Sequence, residues 1–287
     1  MSAFAQERQQ DYANDGFLTP LRVVSLDEAR AALEEVEAFA ATRAPDGVLR
    51  GDDRFKPHLH LPRVNQLVRH PTVLRAVRAC LGGPDVVLWS SDLNVKRPGD
   101  GGFFSDHQDA TYTGLEPAAQ GCTVWLALSD PVDAAHGCMV FKPGSHLRGQ
   151  LPHVEEPAPD NLLSRGQRVA QLPPPRGPDV QAALRAGEAS IHHFHLVHRS
   201  APNRGSRTRT GLAMRFVAAN VRQTGSCREC VTVFGDSRPH ESFDVEPTLP
   251  PDPDDAEIAA GQRHHADAMR REKANYFRDS AASTAYT

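Results

Sequence analysis

The sequence predicts a mainly β protein, a β-sandwich or barrel with helices packed outside it. Two observations carry that prediction. Helical patterning dominates the first 84 residues, and short β-prone runs separated by Gly, Pro, Asn or Asp turns follow it. Strands gathered after helices suit a closed or layered β-core with helices on its outer face.

The elements can be justified in order. Residues 4–45 read as a helical lead-in. Ser25 and Glu28 form a capping box ahead of LDEARAALEEVEAFAATRA, where the Ser hydroxyl and the Glu carboxylate each satisfy an orphan backbone N–H. Leu26, Ala29, Leu33, Val36 and Phe39 then recur at helical spacing. A polar loop, PDGVLRGDDRFKPHLHLPRV, separates this from a second helix over 71–81, with Pro71 near its start and Gly-Gly at its end. From residue 85 the runs DVVLWSSDLNVKRP, CTVWLALSD, GCMVFKPGSH, EASIHHFHLVH and TGLAMRFVAANV read as strands. A Pro-rich insert covers 152–186, a length at which an ordered loop is usually functional and often a lid. After 245 a Pro/Asp linker leads into a helix of Ala, Arg, Glu and Met. The whole of 1–287 reads as one domain: a helical part over 1–84, a β-core over 85–220 carrying the insert, and the linker with its helix over 245–287.

Composition narrows the function classes. Hydrophobic residues make up 39% and charged residues 24% of 287, as in soluble globular chains. The net charge is −4 and no Lys/Arg-rich run exists, which argues against nucleic acid as a partner. No stretch approaches the ~20 apolar residues of a membrane span. The start, MSAFAQERQQDYANDGF, has no apolar signal core, so a cytoplasmic location is expected. Five cysteines, an odd number, favour reduced thiols over a disulfide framework. Cys227 and Cys230 form a lone CxxC. Zinc would need a second ligand pair, for which His240 is a poor substitute, so the role of the two thiols stays open.

The chemistry centres on FSDHQDATY. Alternate residues of a strand share a face, so His107 and Asp109 can converge on one ion. A facial triad of two imidazoles and one carboxylate needs another His and leaves positions open for substrate and O2. IHHFHLVHRSAPN offers His192, His193, His195 and His198. Parity puts His192 and His198 on one face, His193 and His195 on the other. His198, where the strand ends, is the best third ligand, while the other three read as strand-edge caps. A ferrous triad commonly draws electrons from a 2-oxo acid whose far carboxylate needs a fixed cation, and the planar fork of Arg suits it. An antiparallel return through RGSRTRTGLAMRF brings Arg207 or Arg209 beside the triad. Arg215, about 20 Å further along the strand, lies too far, and Arg204 and Arg207 read as solvated turn charges.

The chain resembles the phytanoyl-CoA dioxygenase family of Fe(II)- and 2-oxoglutarate-dependent oxygenases. The resemblance runs from Gly16–Phe17 to about Val217 through HQD, VWLALSD, GCMVFKPGSH, the Gly187–Glu188 pair, HLVHRSAPN and the Arg beyond it. It implies a double-stranded β-helix, the jelly-roll or cupin-like core. It implies His107, Asp109 and His198 as iron ligands and Arg209 as the clamp on 2-oxoglutarate, with Ser200 joining the clamp. Trp125 would line the cosubstrate pocket, and Gln108 would face cosubstrate or substrate. Asn94 and Lys96, on the strand before the metal loop, are substrate candidates or an ordinary polar strand face. Halogenating relatives replace the carboxylate of the H-x-D with a small residue, so Asp109 favours hydroxylation of an unactivated C–H bond, with release of succinate and CO2.

Two other classes remain open at this level. One is a catalytically silent metal-binding or regulatory protein on the same scaffold, the other a zinc hydrolase using the same ligands with water. The family name does not imply an acyl-CoA substrate. Arg54, Lys56, His58, His60 and Arg63, with Lys96 and Arg199, could make a basic pocket for a small anionic substrate. Alternatively they form a solvated loop balanced by Asp52 and Asp53.

Overall fold

The computed structural model describes residues 3–111 and 113–276. Helix α1 (Ala3–Asp15) leads into strand β1 (Phe17–Arg22), followed by α2 (Leu26–Arg43), α3 (Pro62–Val68) and α4 (Pro71–Leu81). Then come β2 (Val86–Lys96), β3 (Phe104–His107), β4 (Leu115–Glu116), β5 (Gly121–Ala127) and β6 (Met139–Phe141). The insert contributes β7 (His153–Glu155), β8 (Gln167–Val169) and β9 (Val180–Ala182). Next are β10 (Glu188–His193), β11 (His198–Ser200), β12 (Arg209–Ala218), β13 (Arg222–Gln223), β14 (Glu229–Val233) and β15 (Phe243–Val245). Helix α5 (Asp255–Tyr276) ends the described chain.

A seven-stranded sheet runs in the order β1-β10-β5-β12-β2-β14-β15, and a four-stranded sheet in the order β3-β11-β6-β9. Strand parity explains how they layer. Cys122, Val124 and Leu126 of β5 and Leu212, Met214 and Phe216 of β12 turn outward and pack on Ala29, Val36 and their helical neighbours. The alternate residues Trp125, Ala127 and Ala213 turn inward and meet Met139, Phe141 and Ala182 of the smaller sheet. Every residue of β5 is therefore buried, which explains why it reads as a continuous apolar run and not an alternating one. Truncating the fully buried Leu126 to Ala would cost about 2–5 kcal/mol.

Helix α2 starts where the capping box places it: Ser25 Oγ accepts from the Glu28 N–H at 3.2 Å, and Glu28 accepts from the Ser25 N–H at 2.8 Å. Helix α4 spans the predicted 71–81 and closes on Gly82, at φ 74°, a conformation open to glycine at no steric cost.

Three features depart from the sequence expectation. The helical lead-in is interrupted by β1, whose FLTPLR carries Pro20 and no clear alternation. Proline is tolerated there because β1 pairs only with β10, at the sheet edge. The larger sheet also extends past residue 220 into β14 and β15. Polar Glu229 and Thr232 are buried on β14, which masks the strand pattern. Finally, α3 begins within the end of the polar loop, with Pro62 at its first turn.

Candidate metal and cosubstrate site

Strands β3 and β11 are neighbours in the smaller sheet and place His107 directly opposite His198, with ring centroids 4.1 Å apart. Each Nδ1 donates to the backbone carbonyl two residues earlier, His107 to Ser105 at 2.8 Å and His198 to Leu196 at 3.0 Å. That bond fixes the tautomer and leaves Nε2 with a free lone pair. Asp109, just past the end of β3, brings Oδ1 to 3.7 Å from His107 Nε2 and 3.8 Å from His198 Nε2. The donor atoms of His107, Asp109 and His198 all lie within 4.8 Å of one another. Burial, with His107 and His192 alongside, holds His198 well below the usual imidazole range, so it stays neutral, the form that ligates. Burial opposes ionisation of Asp109, but the surrounding imidazoles of His107, His192 and His198 outweigh it and keep the carboxyl well below its usual range.

The other carboxylate oxygen is held from the facing sheet. His192 on β10 pairs across to Thr123 on β5. Thr123 Oγ1 donates to Asp109 Oδ2 at 2.5 Å, and His192 Nε2 lies 3.2 Å from the same oxygen. Parity had placed His192 on the ligand face, yet its reading as a strand-edge cap missed this contact, because the Asp109 partner comes from another sheet. His193 and His195 do turn the other way, with His193 centroids 5.1 Å from His146 and 5.3 Å from His195.

Arg209 opens β12 opposite Lys96 of β2. It is buried, and Nη1 donates to the Gly137 carbonyl at 2.6 Å and to Ser200 Oγ at 3.1 Å. Its guanidinium lies 4.7 Å over the Trp125 ring, and Nε has no partner among the described residues. Burial pushes its pKa down to about 10, so it remains charged near neutrality. Gly211, two residues on, is required: a Cβ there would sit 1.9 Å from Trp125 Cζ2. Trp125 Nε1 donates to Asn94 Oδ1 at 3.2 Å, leaving Asn94 Nδ2 buried without a partner among the described residues. Lys96 Nζ lies 2.6 Å from Ser200 Oγ and donates to the Ser200 carbonyl at 3.1 Å and to the Ala201 carbonyl at 2.6 Å. Burial, with Arg209 nearby, pushes Lys96 down to about 6. Arg204 and Arg207 are exposed.

A cavity of about 290 Å³ opens over these groups. Leu162 and Leu163 of the insert wall it, as do Arg54 and Phe55, and α5 adds Met269 and Glu272. The contribution of α5 carried no sequence signal. Several expected residues are placed differently. Gln108 lines the cavity, but its amide is occupied by backbone: Nε2 donates to Gly149 and His195 carbonyls, and Oε1 accepts from the Leu151 N–H. Lys56 and His58 are not brought to the cavity. Both are buried against Glu246, with Lys56 Nζ at 2.7 Å and His58 Nε2 at 3.2 Å. These two residues of the basic loop therefore turn inward to a carboxylate far along the chain, whereas Arg54 of the same loop lines the cavity. Arg199 does line the cavity, paired with Asp179 at 2.6 Å. Arg215, set aside as too distant for the clamp, also lines it, because β12 crosses the site with alternate residues facing in.

The phytanoyl-CoA dioxygenase (PhyH) family profile matches residues 12–211. The chain belongs to the phytanoyl-CoA dioxygenase family. Phytanoyl-CoA dioxygenase domain-containing protein 1 of Mus musculus is 30% identical over 168 residues, 56% of this chain and 55% of that protein. The peroxisomal phytanoyl-CoA dioxygenase of Mus musculus is 24% identical over 259 residues, 83% of this chain and 74% of that one. The chain thus spans about half the length of the first curated relatives it matches. Among solved structures, the non-heme monooxygenase ThoJ superposes with a TM-score of 0.80 at 26% identity, covering 96% of this chain and 99% of that one. Within the family match lie all three members of the His/Asp/His group and Arg209, whereas α5 falls outside it. Among the described residues no helix is long and apolar enough to cross a membrane.

Proposed function

We propose that the protein is a single-domain Fe(II)- and 2-oxoglutarate-dependent dioxygenase that hydroxylates an unactivated C–H bond of a small molecule, releasing succinate and CO2. One observation carries the reading. Two imidazole nitrogens and one carboxylate oxygen converge within 4.8 Å, in the same cavity as a buried guanidinium whose Nε has no hydrogen-bond partner among the described residues.

The donor set fits iron(II), since two imidazoles and one carboxylate leave coordination places for a chelating cosubstrate and O2. Arg209 Nε, which has no hydrogen-bond partner among the described residues, fits an anionic group. Bound there, iron and 2-oxoglutarate would supply the O2 activation and the oxidising power. The chain's own residues do the rest. His107, Asp109 and His198 would hold the metal, with the backbone bonds of both imidazoles fixing their aim. Arg209 and Ser200 would take the far carboxylate, where a planar fork gives direction as well as charge. Trp125, steadied by Asn94 and packed on Gly211, would wall that pocket, and Leu162 and Leu163 would keep water from the reacting centre. Asp109 occupies the place that a halogenating enzyme leaves for chloride, which favours hydroxylation. The two facing sheets support a jelly-roll reading, and five free cysteines support a reducing, cytoplasmic setting. The cavity volume, near the lower end of the ~300–1,000 Å³ typical of ligand sites, supports a small substrate.

Turnover tests this. Fe(II) should support O2-dependent conversion of 2-oxoglutarate to succinate, slow without substrate, and Zn(II) should not. Zinc-supported hydrolysis without O2 would favour the hydrolase, and no turnover with intact metal binding would favour a silent scaffold.

A further inference from the structure

We propose that the cavity receives a substrate carrying an oxyanion, carboxylate or phosphate, and that Arg54 is the residue that recognises that charge. This rests on the dioxygenase reading, since the cavity is the space over its metal group.

Arg54 ends a short 3₁₀ turn, Gly51–Arg54, in the cavity wall. Its Nε and Nη2 donate to the two oxygens of Asp92 at 3.0 and 3.1 Å. Asp92 is almost sealed, with its side chain 3% exposed, whereas that of Arg54 keeps 19%. The fork is thus fixed from behind, and Nη1 has no hydrogen-bond partner among the described residues. A guanidinium held this way has already lost its rotamer freedom, so a ligand need not immobilise it.

Asp92 is shared. Arg215 on β12 reaches the same carboxylate, with Nη2 at 3.8 Å, and lines the cavity too. One buried carboxylate therefore stands beneath two guanidinium groups. Lys273 pairs with Asp52 at 2.5 Å and Arg199 with Asp179 at 2.6 Å. Glu272, also in the lining, is pushed up by burial against the opposing pull of Lys56 and Arg215. Arg209 lies with Ser200 and Trp125 and is assigned to the cosubstrate.

The turn that presents Arg54 is built to stay in place. Phe55 bridges to Asp92 across β2, and the Lys56 N–H donates to the Ser91 carbonyl at 2.7 Å. Lys56 takes the left-handed φ of 44°, and its Nζ is buried against the Trp89 and Cys230 carbonyls and Glu246. His265 of α5 bonds the Phe55 carbonyl at 2.8 Å. The buried Lys56 thus acts as the anchor of the recognition turn and not as a ligand group itself.

The test uses the full-length protein loaded anaerobically with Fe(II) and saturating 2-oxoglutarate, whose visible charge-transfer band responds to occupancy of the neighbouring space. Butyrate, phenylacetate and phenyl phosphate are titrated beside butyramide, phenylacetamide and phenol at constant ionic strength. The anions should shift the band at concentrations at least about tenfold below their neutral partners, as for one charge-assisted contact. Comparing carboxylates with the phosphate identifies which oxyanion is preferred. Arg54→Gln should abolish the difference, and Arg54→Lys, which keeps a cation over Asp92, should restore part of it. Equal midpoints for anions and neutral partners, no response to any anion, or midpoints within about twofold of wild type in Arg54→Gln would each overturn the proposal. If the band itself never forms, the dioxygenase reading fails instead, and calorimetry of the same panel on the metal-free protein decides the role of Arg54 separately.

Discussion

His192 Nε2 lies 3.2 Å from Asp109 Oδ2, while Asp109 Oδ1 faces the Nε2 atoms of His107 and His198 at 3.7 and 3.8 Å. The two oxygens of one carboxylate are thereby given different tasks. Two donors from the facing sheet, His192 and Thr123, hold one oxygen, and the other is left to ligate. His192→Phe keeps the ring and removes the bond, so metal affinity should fall about 10–100-fold, as for other lost ligand-orienting contacts. His192→Gln should recover part of it. Titration with Co(II), read by its ligand-field spectrum, measures both affinity and geometry. Unchanged affinity and spectrum in His192→Phe would remove the orienting role.

Arg209 should govern the cosubstrate and not the metal. Losing a charge-assisted contact to a buried carboxylate costs on the order of 2–5 kcal/mol, and each 1.4 kcal/mol is a factor of about ten. Arg209→Ala should therefore raise the half-saturating 2-oxoglutarate concentration at least about tenfold and leave metal affinity nearly intact. Arg209→Lys should recover only part, since a point charge cannot reproduce the fork. The exposed Arg207 is the control: Arg207→Ala should change the value less than about threefold. A damaging Arg207→Ala beside a harmless Arg209→Ala would contradict the clamp.

Lys96 should give the metal-free protein a pH-dependent stability. Its folded pKa is pushed to about 6 by burial and by Arg209, against about 10.4 for an unfolded lysine. Between those values the unfolded chain holds a proton that the folded chain lacks, so stability rises with pH, by up to about 1.4 kcal/mol per unit. Urea midpoints taken from about pH 7.5 to 8.5, above most histidine titration, should rise in the native protein. They should be flatter in Lys96→Met. An equal slope in both would show that the lysine stays charged when buried.

The legible parts of the site share one property: their geometry is local. His107 and Asp109 are two residues apart at the end of one strand and just past it, His198 opens the next strand after a turn, and the strand returning from it offers Arg207 or Arg209, of which the resemblance picks Arg209. The misread parts depend on partners remote in sequence. Lys56 finds Glu246 across 190 positions and His58 finds it across 188, and no local pattern distinguishes such a basic loop from one facing a substrate. Gln108 was expected at the ligand because of its neighbours, but Gly149, Leu151 and His195 occupy its amide. Glu272 of α5 reaches the cavity from beyond the linker for the same reason. In the fold, the apolar runs of β5 and β12 were readable because both faces are covered. Short β1 was not, since its proline belongs to an edge.

The most direct measurement is anaerobic addition of 2-oxoglutarate to the Fe(II)-loaded protein, followed in the visible spectrum. A charge-transfer band should appear in the native protein, saturating at one Fe(II) per chain. It should be absent in His107→Ala, Asp109→Ala and His198→Ala, each of which should keep a native circular dichroism spectrum. No band in the native protein despite bound Fe(II), or a band of native strength in any of the three variants, would contradict the assignment of this site.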